Sequence, residues 1–166
     1  PTLAGIYMRN LVFAALLARA TLAASPTAPM GLLTNGIRDP QAVDVAPPAF
    51  SWTMNDPDRG EMQTAYQIVV TAEGKIRWDS GKILSAASSS VPYAGPPVAP
   101  ATRHAWKIKL WDKDGNTSPY SADAVFDTGL SAADWTAAFI WDGTTNENNF
   151  AHFRKSFTLD KPVRLA

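Results

Sequence analysis

The sequence of 166 residues contains no cysteine, which excludes disulfide bonds, thiolate metal ligands and a cysteine nucleophile. It contains only two histidines, His104 and His152, which are too few for a multi-histidine metal site. Neither sign of charge is in excess, because 15 lysines and arginines balance 15 aspartates and glutamates. Lysine and arginine are also spread along the chain, so nucleic acid and anionic membranes are not expected as partners.

The sequence also lacks an apolar run of the length that a membrane helix needs, about 20 residues. Its apolar run at residues 11–18 follows Arg9 and precedes small residues at 23–25. A basic residue, a short apolar run and small residues at a cleavage point form the layout of a signal peptide. We therefore expect residues 1–24 to contain upstream residues and a signal peptide, with a short N-terminal helix as the alternative. The protein would be secreted or periplasmic in a bacterium, with residues 25–30 as a linker and no membrane contact after cleavage.

The strongest pattern that is present lies at residues 105–116. Trp106, Ile108 and Leu110 alternate with lysines, which is the period of a half-buried strand. Aspartates, a glycine and an asparagine follow and supply turn chemistry. The chain then resumes at Tyr120 and runs as a second strand through residues 124–126 to Gly129. This pattern predicts a hairpin at the centre of a small β-sandwich.

Further strands are predicted where apolar residues alternate between loop signals, at residues 32–36, 50–52, 63–70, 91–93 and 153–159. The segment Trp78-Asp79-Ser80-Gly81 is predicted as a tight turn. No segment after residue 30 shows a helical period. Short strands separated by frequent turns are typical of an all-β sandwich.

Three carboxylates lie close together in the sequence and are candidates for catalysis: Asp56, Asp58 and Glu61. Glycoside hydrolysis uses an acid and a base on either side of the scissile bond, so a pair of carboxylates is a candidate. These three lie in a loop containing proline and glycine, with Arg59 as a neighbour and no apolar pocket to raise a pKa. The pattern favours a solvated loop, and no catalytic residue is assigned.

A second polar group, Asp112, Asp114, Asn116 and Asp123, is reminiscent of a calcium-binding loop. The EF-hand pattern places a glycine at its sixth position and a glutamate at its twelfth. Counted from Asp112, those positions hold Thr117 and Asp123. The mismatch favours a simple turn, with incidental calcium binding as the alternative, and no metal ligand is assigned.

Serine nucleophiles were considered at Ser80 and residues 88–90. No Gly-x-Ser-x-Gly elbow surrounds them, and the sequence places neither histidine as a base. His104, beside the start of a strand, is predicted to be an edge residue or a packing residue. His152 precedes the last predicted strand and could contact a further domain.

The six tryptophans could supply stacking surfaces for sugars. Trp52 and Trp106 occupy inward positions of predicted strands, so we expect them in the core. Trp78 and Trp111 lie beside turns and are the candidates for substrate binding.

The order of several motifs is more specific than any one of them. These are Phe50-Ser51-Trp52, residues 63–68, Trp78-Asp79-Ser80-Gly81-Lys82, Trp111-Asp112-Lys113-Asp114-Gly115, residues 126–130 and Phe153-Arg154-Lys155-Ser156-Phe157. In this order they resemble the N-terminal region of bacterial α-L-rhamnosidases, inverting glycoside hydrolases that release terminal L-rhamnose. The resemblance covers roughly residues 30 to 166.

The resemblance implies a fibronectin type III-like (immunoglobulin-like) β-sandwich at residues 31–129. It also implies a connector and the truncated start of a second β-sandwich domain at 130–166. In that family an (α/α)₆ barrel further along the chain carries the catalytic acids. No cofactor is implied. The implied partners are rhamnose-containing glycosides or polysaccharides, bound through the catalytic domain, and the downstream domains on which the sandwich packs. A stand-alone carbohydrate-binding or adhesion-type module is the alternative.

Overall fold

The computed structural model describes residues 25–44, 46–138, 140, 143, 150–158 and 160. The predicted signal peptide at residues 1–24 lies outside the described residues. Contacts divide the chain into two units, Pro1–Ser131 and Ala132–Ala166. Within the described residues, no helix has the length and apolar character needed to cross a bilayer.

The described part of the first unit contains eight strands and no helix, so the predicted all-β class is confirmed. The strands are β1 (Thr27–Thr34), β2 (Ala49–Asn55), β3 (Ala65–Ala72), β4 (Lys75–Asp79), β5 (Ile83–Leu84), β6 (Val91–Pro92), β7 (Arg103–Trp111) and β8 (Ala124–Asp127). One antiparallel sheet has the order β1-β2-β6. The other has the order β4-β3-β7-β8, and β5 also pairs with β3. Two such sheets around one core make a fibronectin type III-like, immunoglobulin-like β-sandwich.

Strand β7 lies between β3 and β8 and confirms the predicted central hairpin. It pairs with β3 in continuous register from Ala65–Trp111 to Ala72–His104. On its other side it pairs with β8, where Trp106 lies opposite Ala124. Every second side chain of β7 is buried, as the alternation of apolar residues and lysines predicts.

Aromatic rings fill the space between the two sheets. The rings of Phe50 and Trp106 lie 4.3 Å apart, and both side chains are buried. Trp106 Nε1 donates a hydrogen bond to Thr34 Oγ1 at 3.1 Å, and Trp52 Nε1 donates to Gln63 Oε1 at 2.8 Å. Each indole therefore buries its rings while keeping its N–H satisfied. The predicted core positions of Trp52 and Trp106 are confirmed.

One turn lies at a different place from the prediction. Trp78 and Asp79 do not form a tight turn with Ser80 and Gly81, because they are the last two residues of β4. The turn is at residues 73–74, where Glu73 and Gly74 have φ values of 53° and 72°. Two positive φ values in a two-residue loop are those of a type I′ hairpin turn, which joins β3 to β4.

The second unit has no regular secondary structure in its described residues. The strand predicted at residues 153–159 is not formed over residues 153–158, and Leu159 lies outside the described residues. Phe153 and Phe157 are more than half exposed. A strand is held by the hydrogen bonds of a neighbouring strand, and the described residues of this unit provide none. A second β-sandwich domain at this position stays a prediction.

Candidate functional site

The two tryptophans predicted to bind substrate lie on opposite faces of the larger sheet. Trp78 is directly opposite Val70, so the two side chains share the inner face, and Trp78 packs against the core. Trp111 follows the buried Leu110 along β7, so its side chain points to the outer face. The two indoles therefore do not form one binding platform.

The surroundings of the two indoles also differ. Trp78 makes an edge-to-face contact with Tyr93 at 4.9 Å and is half-buried. Trp111 carries the ammonium group of Lys82 at 4.4 Å from its ring centre and that of Lys109 at 5.2 Å. Two ammonium groups therefore contact the Trp111 ring. Substrate binding by Trp78 and Trp111 stays a prediction. Because the indoles lie on opposite faces of the sheet, each would have to contact a sugar separately.

His104 packs within the sandwich, as predicted. Its ring stacks on Phe126 at 4.8 Å, and its Nδ1 lies 3.1 Å from the carbonyl oxygen of Thr102. Burial lowers the pKa of the imidazole below 6.5, so the ring is neutral at neutral pH. A cavity of about 300 Å³ adjoins it and contains Glu73, which is paired with Arg77 at 2.7 Å. The lining of this cavity holds no second carboxylate, so it offers no acid–base pair for glycoside hydrolysis.

The hydroxyl group of Ser80 is hydrogen-bonded to the backbone on both sides. Its Oγ accepts a hydrogen bond from the Ile68 N–H at 2.9 Å and donates to the carbonyl oxygen of Gly81 at 2.8 Å. The hydroxyl group therefore connects the residue that follows β4 to β3 by a hydrogen bond. His152, in the second unit, is exposed and contacts the ring of Phe150.

Three carboxylates, two from the loop before β3 and one from the turn after β7, meet at one end of the β3–β7 pair. Asp56, Glu61 and Asp112 each place a carboxylate oxygen within 4.8 Å of the other two. Thr64 joins the two loops that carry them, since its N–H donates to the carbonyl oxygen of Trp111 at 2.8 Å. The Thr64 hydroxyl also donates to the carbonyl oxygen of Asp112 at 2.7 Å. We call Asp56, Glu61 and Asp112 the carboxylate cluster.

Asp112 accepts the most hydrogen bonds of the three members of the carboxylate cluster. Its Oδ1 accepts hydrogen bonds from the N–H groups of Asp114 at 2.9 Å and Asn116 at 2.7 Å. Its Oδ2 accepts one from the Asn116 side-chain amide at 2.9 Å. Burial raises the pKa of this carboxyl, but the hydrogen bonds from Asn116 and Asp114 together outweigh burial and leave the pKa below its ordinary value. The predicted turn after Leu110 is thus confirmed, with an ionised Asp112 at its centre.

Lys113 provides one positive charge beside the carboxylate cluster. Its Nζ donates to Glu61 Oε1 at 2.5 Å and to Asp114 Oδ2 at 2.6 Å, and these hydrogen bonds raise the pKa of the lysine. Asp56 Oδ1 accepts a hydrogen bond from the Asp58 N–H at 2.9 Å. The second oxygens, Asp56 Oδ2 and Glu61 Oε2, are buried and have no hydrogen-bond partner.

The prediction of a solvated loop is wrong for Glu61, because its side chain is only 5% exposed. The sequence did contain a signal for this. If the two most regular alternating strands pair antiparallel, the residues before β3 must lie beside those after β7. That pairing alone places Glu61 near Asp112.

Comparison with known proteins gives a consistent picture. The model of the family described as "Rha78A-like, N-terminal immunoglobulin domain" matches residues 29–132. An α-L-rhamnosidase from Streptomyces avermitilis is 43% identical over 110 residues, which cover 63% of this chain and 11% of that protein. One from Formosa agariphila is 31% identical over 146 residues, or 81% of this chain and 15% of that protein.

Solved structures agree with the sequence relatives. The structure of an α-L-rhamnosidase from Dictyoglumus thermophilum superposes with a TM-score of 0.63 at 33% identity. The superposition covers 66% of this chain and 13% of that one. The chain therefore spans between 11% and 15% of the length of these three relatives.

Proposed function

Because this chain belongs to the family of Rha78A-like N-terminal immunoglobulin domains, we propose that it is the non-catalytic accessory β-sandwich of a secreted α-L-rhamnosidase-like glycoside hydrolase. The observation that carries the proposal is the match of residues 29–132 to this N-terminal domain family. The small share of the rhamnosidases that the chain spans supports a role beside the catalytic domain. Export rests on the signal-peptide pattern at residues 1–24.

The parent protein would hydrolyse terminal α-L-rhamnosyl bonds of glycosides or polysaccharides. An inverting hydrolase protonates the leaving oxygen with one carboxylic acid and activates water with a second carboxylate. The two carboxyl groups stand about 6.5–9.5 Å apart to leave room for the water. The oxygens of the carboxylate cluster approach within 4.8 Å, and Lys113 and the Asp112 turn already engage several of them. The catalytic pair is therefore proposed to lie in the downstream barrel.

An activity assay tests the non-catalytic part of the proposal. The purified chain is incubated with an aryl α-L-rhamnoside, and the α-L-rhamnosidase from Streptomyces avermitilis serves as the positive control. We expect release of the aryl group by the control and none above buffer by this chain. If the parent chain releases the aryl group and its Glu61→Gln variant does not, the proposal is contradicted and catalysis lies in the carboxylate cluster.

A domain exchange tests the accessory role. The N-terminal domain of the Streptomyces avermitilis relative is deleted in one variant and replaced by residues 29–132 of this chain in another. We expect the deletion to lower the thermal unfolding midpoint of the relative, since a packed interface would be exposed, and the replacement to restore much of it. If deletion leaves both the unfolding midpoint and the rhamnosidase activity unchanged, the sandwich does not support the catalytic domain.

Sugar binding by the sandwich is the second candidate function, and the outward position of Trp111 favours it. An indole face can stack on the apolar face of a pyranose, and Trp111 is on the outer face of the sheet. Titration with L-rhamnose, monitored by tryptophan fluorescence, tests this in the parent sequence and in Trp111→Ala. A change that the substitution removes would support binding at Trp111. An unchanged spectrum would remove this candidate.

A further inference from the structure

Two buried carboxylate oxygens in the sandwich lack any partner, and this is costly for a folded protein. Asp56 Oδ2 and Glu61 Oε2 are both inaccessible to solvent and accept no hydrogen bond. The Glu61 side chain is 5% exposed, so water does not compensate for the missing partner. Burial of an ionised oxygen is tolerated when a proton, a donor or a cation neutralises it. A proton, a hydrogen-bond donor or a cation is therefore expected at this point.

Among the described residues, no lysine or arginine contacts the two unpartnered oxygens. Lys113 is the ammonium group in ion-pair contact with the carboxylate cluster, and it is bound to the other oxygen of Glu61 and to Asp114. Asp56, Glu61, Asp112 and Asp114 carry four formal negative charges against the one positive charge of Lys113. The two unpartnered oxygens remain unpartnered with Lys113 in place.

The chemistry of the carboxylate cluster selects a hard divalent cation. It presents oxygen ligands only, without the nitrogen or sulfur ligands that zinc and copper prefer. The three carboxylate oxygens lie within 4.8 Å of one another, which is close enough for one Ca²⁺ with ligand distances of about 2.4 Å to contact them. Ca²⁺ also accepts irregular coordination, whereas Mg²⁺ demands a near-ideal octahedron.

Hydrogen bonds outside the carboxylate cluster hold the ligand-bearing loops in place. The Asp58 N–H fixes Asp56 Oδ1 at 2.9 Å, and Thr64 ties the loop of Glu61 to that of Asp112. Asn116 fixes Asp112 through its backbone and side-chain N–H groups. A cation would thus meet carboxylates that are already oriented, and metal sites depend on such supporting contacts.

We propose that Asp56, Glu61 and Asp112 form a calcium site that joins the loop before β3 to the turn after β7. Asp56 and Glu61 would each bind the ion through the oxygen that now lacks a partner. Asp112 contributes the third carboxylate, and water molecules complete the coordination, because Ca²⁺ takes six to eight oxygen ligands. The bound ion would neutralise the carboxylate cluster and stiffen that end of the sandwich. This site does not depend on the proposed rhamnosidase function.

Calcium titration of the full chain tests the proposal. The purified chain is stripped with EDTA, transferred to calcium-free buffer and titrated with CaCl₂ or MgCl₂ in a calorimeter. Thermal unfolding is followed in parallel. We expect saturable calcium binding at or below about 1 mM, a higher unfolding midpoint with calcium, and at least tenfold weaker binding of magnesium. No calcium heat and no shift of the midpoint would overturn the proposal. Equally tight magnesium binding would overturn the calcium assignment.

Substitutions locate the site within the chain. Glu61→Gln and Asp56→Asn each remove the charge of a ligand and keep its shape, and we expect each to weaken calcium binding at least tenfold. Asp123→Asn is the matched control, because Asp123 is an exposed carboxylate outside the carboxylate cluster, and its affinity should stay within twofold of the parent. Parent-like affinity in both cluster variants would overturn the assignment.

A spectroscopic measurement keeps the test decisive if one cluster variant does not fold. Tb³⁺ binds calcium sites and emits when a nearby tryptophan is excited, and Trp111 directly precedes Asp112 in the sequence. We expect sensitised terbium emission from the parent chain and from Asp123→Asn that calcium displaces. We expect it to be lost in whichever of Glu61→Gln and Asp56→Asn retains the near-ultraviolet circular dichroism of the parent. Emission that persists in a folded cluster variant, or that calcium does not displace, would contradict the site.

Discussion

The two units of the chain use aromatic residues in opposite ways. In the sandwich, Phe50, Trp106 and Phe126 are at most 1% exposed and touch across the core. In the second unit, Trp135 is 66% exposed and Phe157 is 75% exposed. Both regions contain aromatic residues in segments predicted to be strands, so residue type alone does not explain the difference.

The difference is explained by the presence or absence of a strand partner. Strand β7 alternates apolar and polar residues, and it is paired along one side by β3 and along the other by β8. Phe153 and Phe157 would share one face of a strand, but no described strand of their unit pairs with residues 153–157. An alternating segment becomes a strand only when a neighbour accepts its hydrogen bonds and a facing layer covers its apolar side.

The largest expected effect comes from comparing one tryptophan of each unit. Trp106→Ala removes a fully buried indole from the centre of the core, so the free energy of unfolding should fall by about 3–5 kcal/mol. Trp135→Ala removes a mostly exposed ring, and the free energy should change by no more than about 0.5 kcal/mol. Urea denaturation measures both. Similar losses for the two variants would show that the units do not differ as described.

A smaller effect is expected from a single added methyl group in the sandwich. A Cβ at Gly95 would lie 2.5 Å from Tyr93 Cζ and 2.6 Å from Trp78 Cγ, which is closer than real Cβ contacts. Gly95→Ala should therefore displace these rings and cost about 1–3 kcal/mol.

Gly129→Ala is the matched control for this substitution. There the nearest atom would be 3.7 Å away, an ordinary contact, so a change of no more than about 0.5 kcal/mol is expected. If Gly95→Ala shifts the urea midpoint no more than Gly129→Ala, the packing around Trp78 is looser than the structure shows.

The central strands of the fold could be predicted because their pattern is local. The alternation in β7, the turn chemistry after it and the apolar face of β3 are all visible in the sequence. Strand β4 was missed because the turn before it depends on φ values at Glu73 and Gly74, and the polar residues after Trp78 offered a competing turn. Local signals compete at such points, and the pairing with β3 decides between them.

The functional features could be predicted less well, because they depend on distant contacts. Asp112 was recognised as a turn residue, yet its proximity to Asp56 and Glu61 arises only when β3 and β7 pair. Trp78 and Trp111 also have similar sequence surroundings, since both were predicted to lie beside turns. Strand register nevertheless places one on each face of the sheet. Residue type indicates which chemistry is available, and the register of pairing determines which groups meet.

The smallest expected effect is a pH dependence of the free energy of unfolding, and it arises from His104 in the sandwich. The pKa of His104 is lowered mainly by burial, so the folded protein resists taking up the proton that the unfolded chain accepts near pH 6.5. Between the folded and the unfolded pKa, the unfolded state binds more protons, and the free energy of unfolding therefore falls as the pH falls. The contribution is constant above about pH 7.5, and the loss develops below about pH 6.5.

His104→Gln isolates this contribution, because glutamine carries no charge at any of these pH values. The same carboxylates are present in both proteins, so their effect cancels except where one of them interacts with His104. The pKa of Asp127 is lowered by the hydrogen bond from Arg103 and by neighbouring charges that include His104, so this carboxylate is ionised at both pH values. Urea denaturation at about pH 7.5 and about pH 5.5 should show that the parent loses stability relative to the variant on acidification. His152→Gln, in the second unit, is the control for the removal of an exposed histidine. Parallel curves for parent and His104→Gln would mean that the buried ring takes up a proton as readily as the unfolded chain does. Burial of the ring beside Phe126 would then not keep His104 neutral.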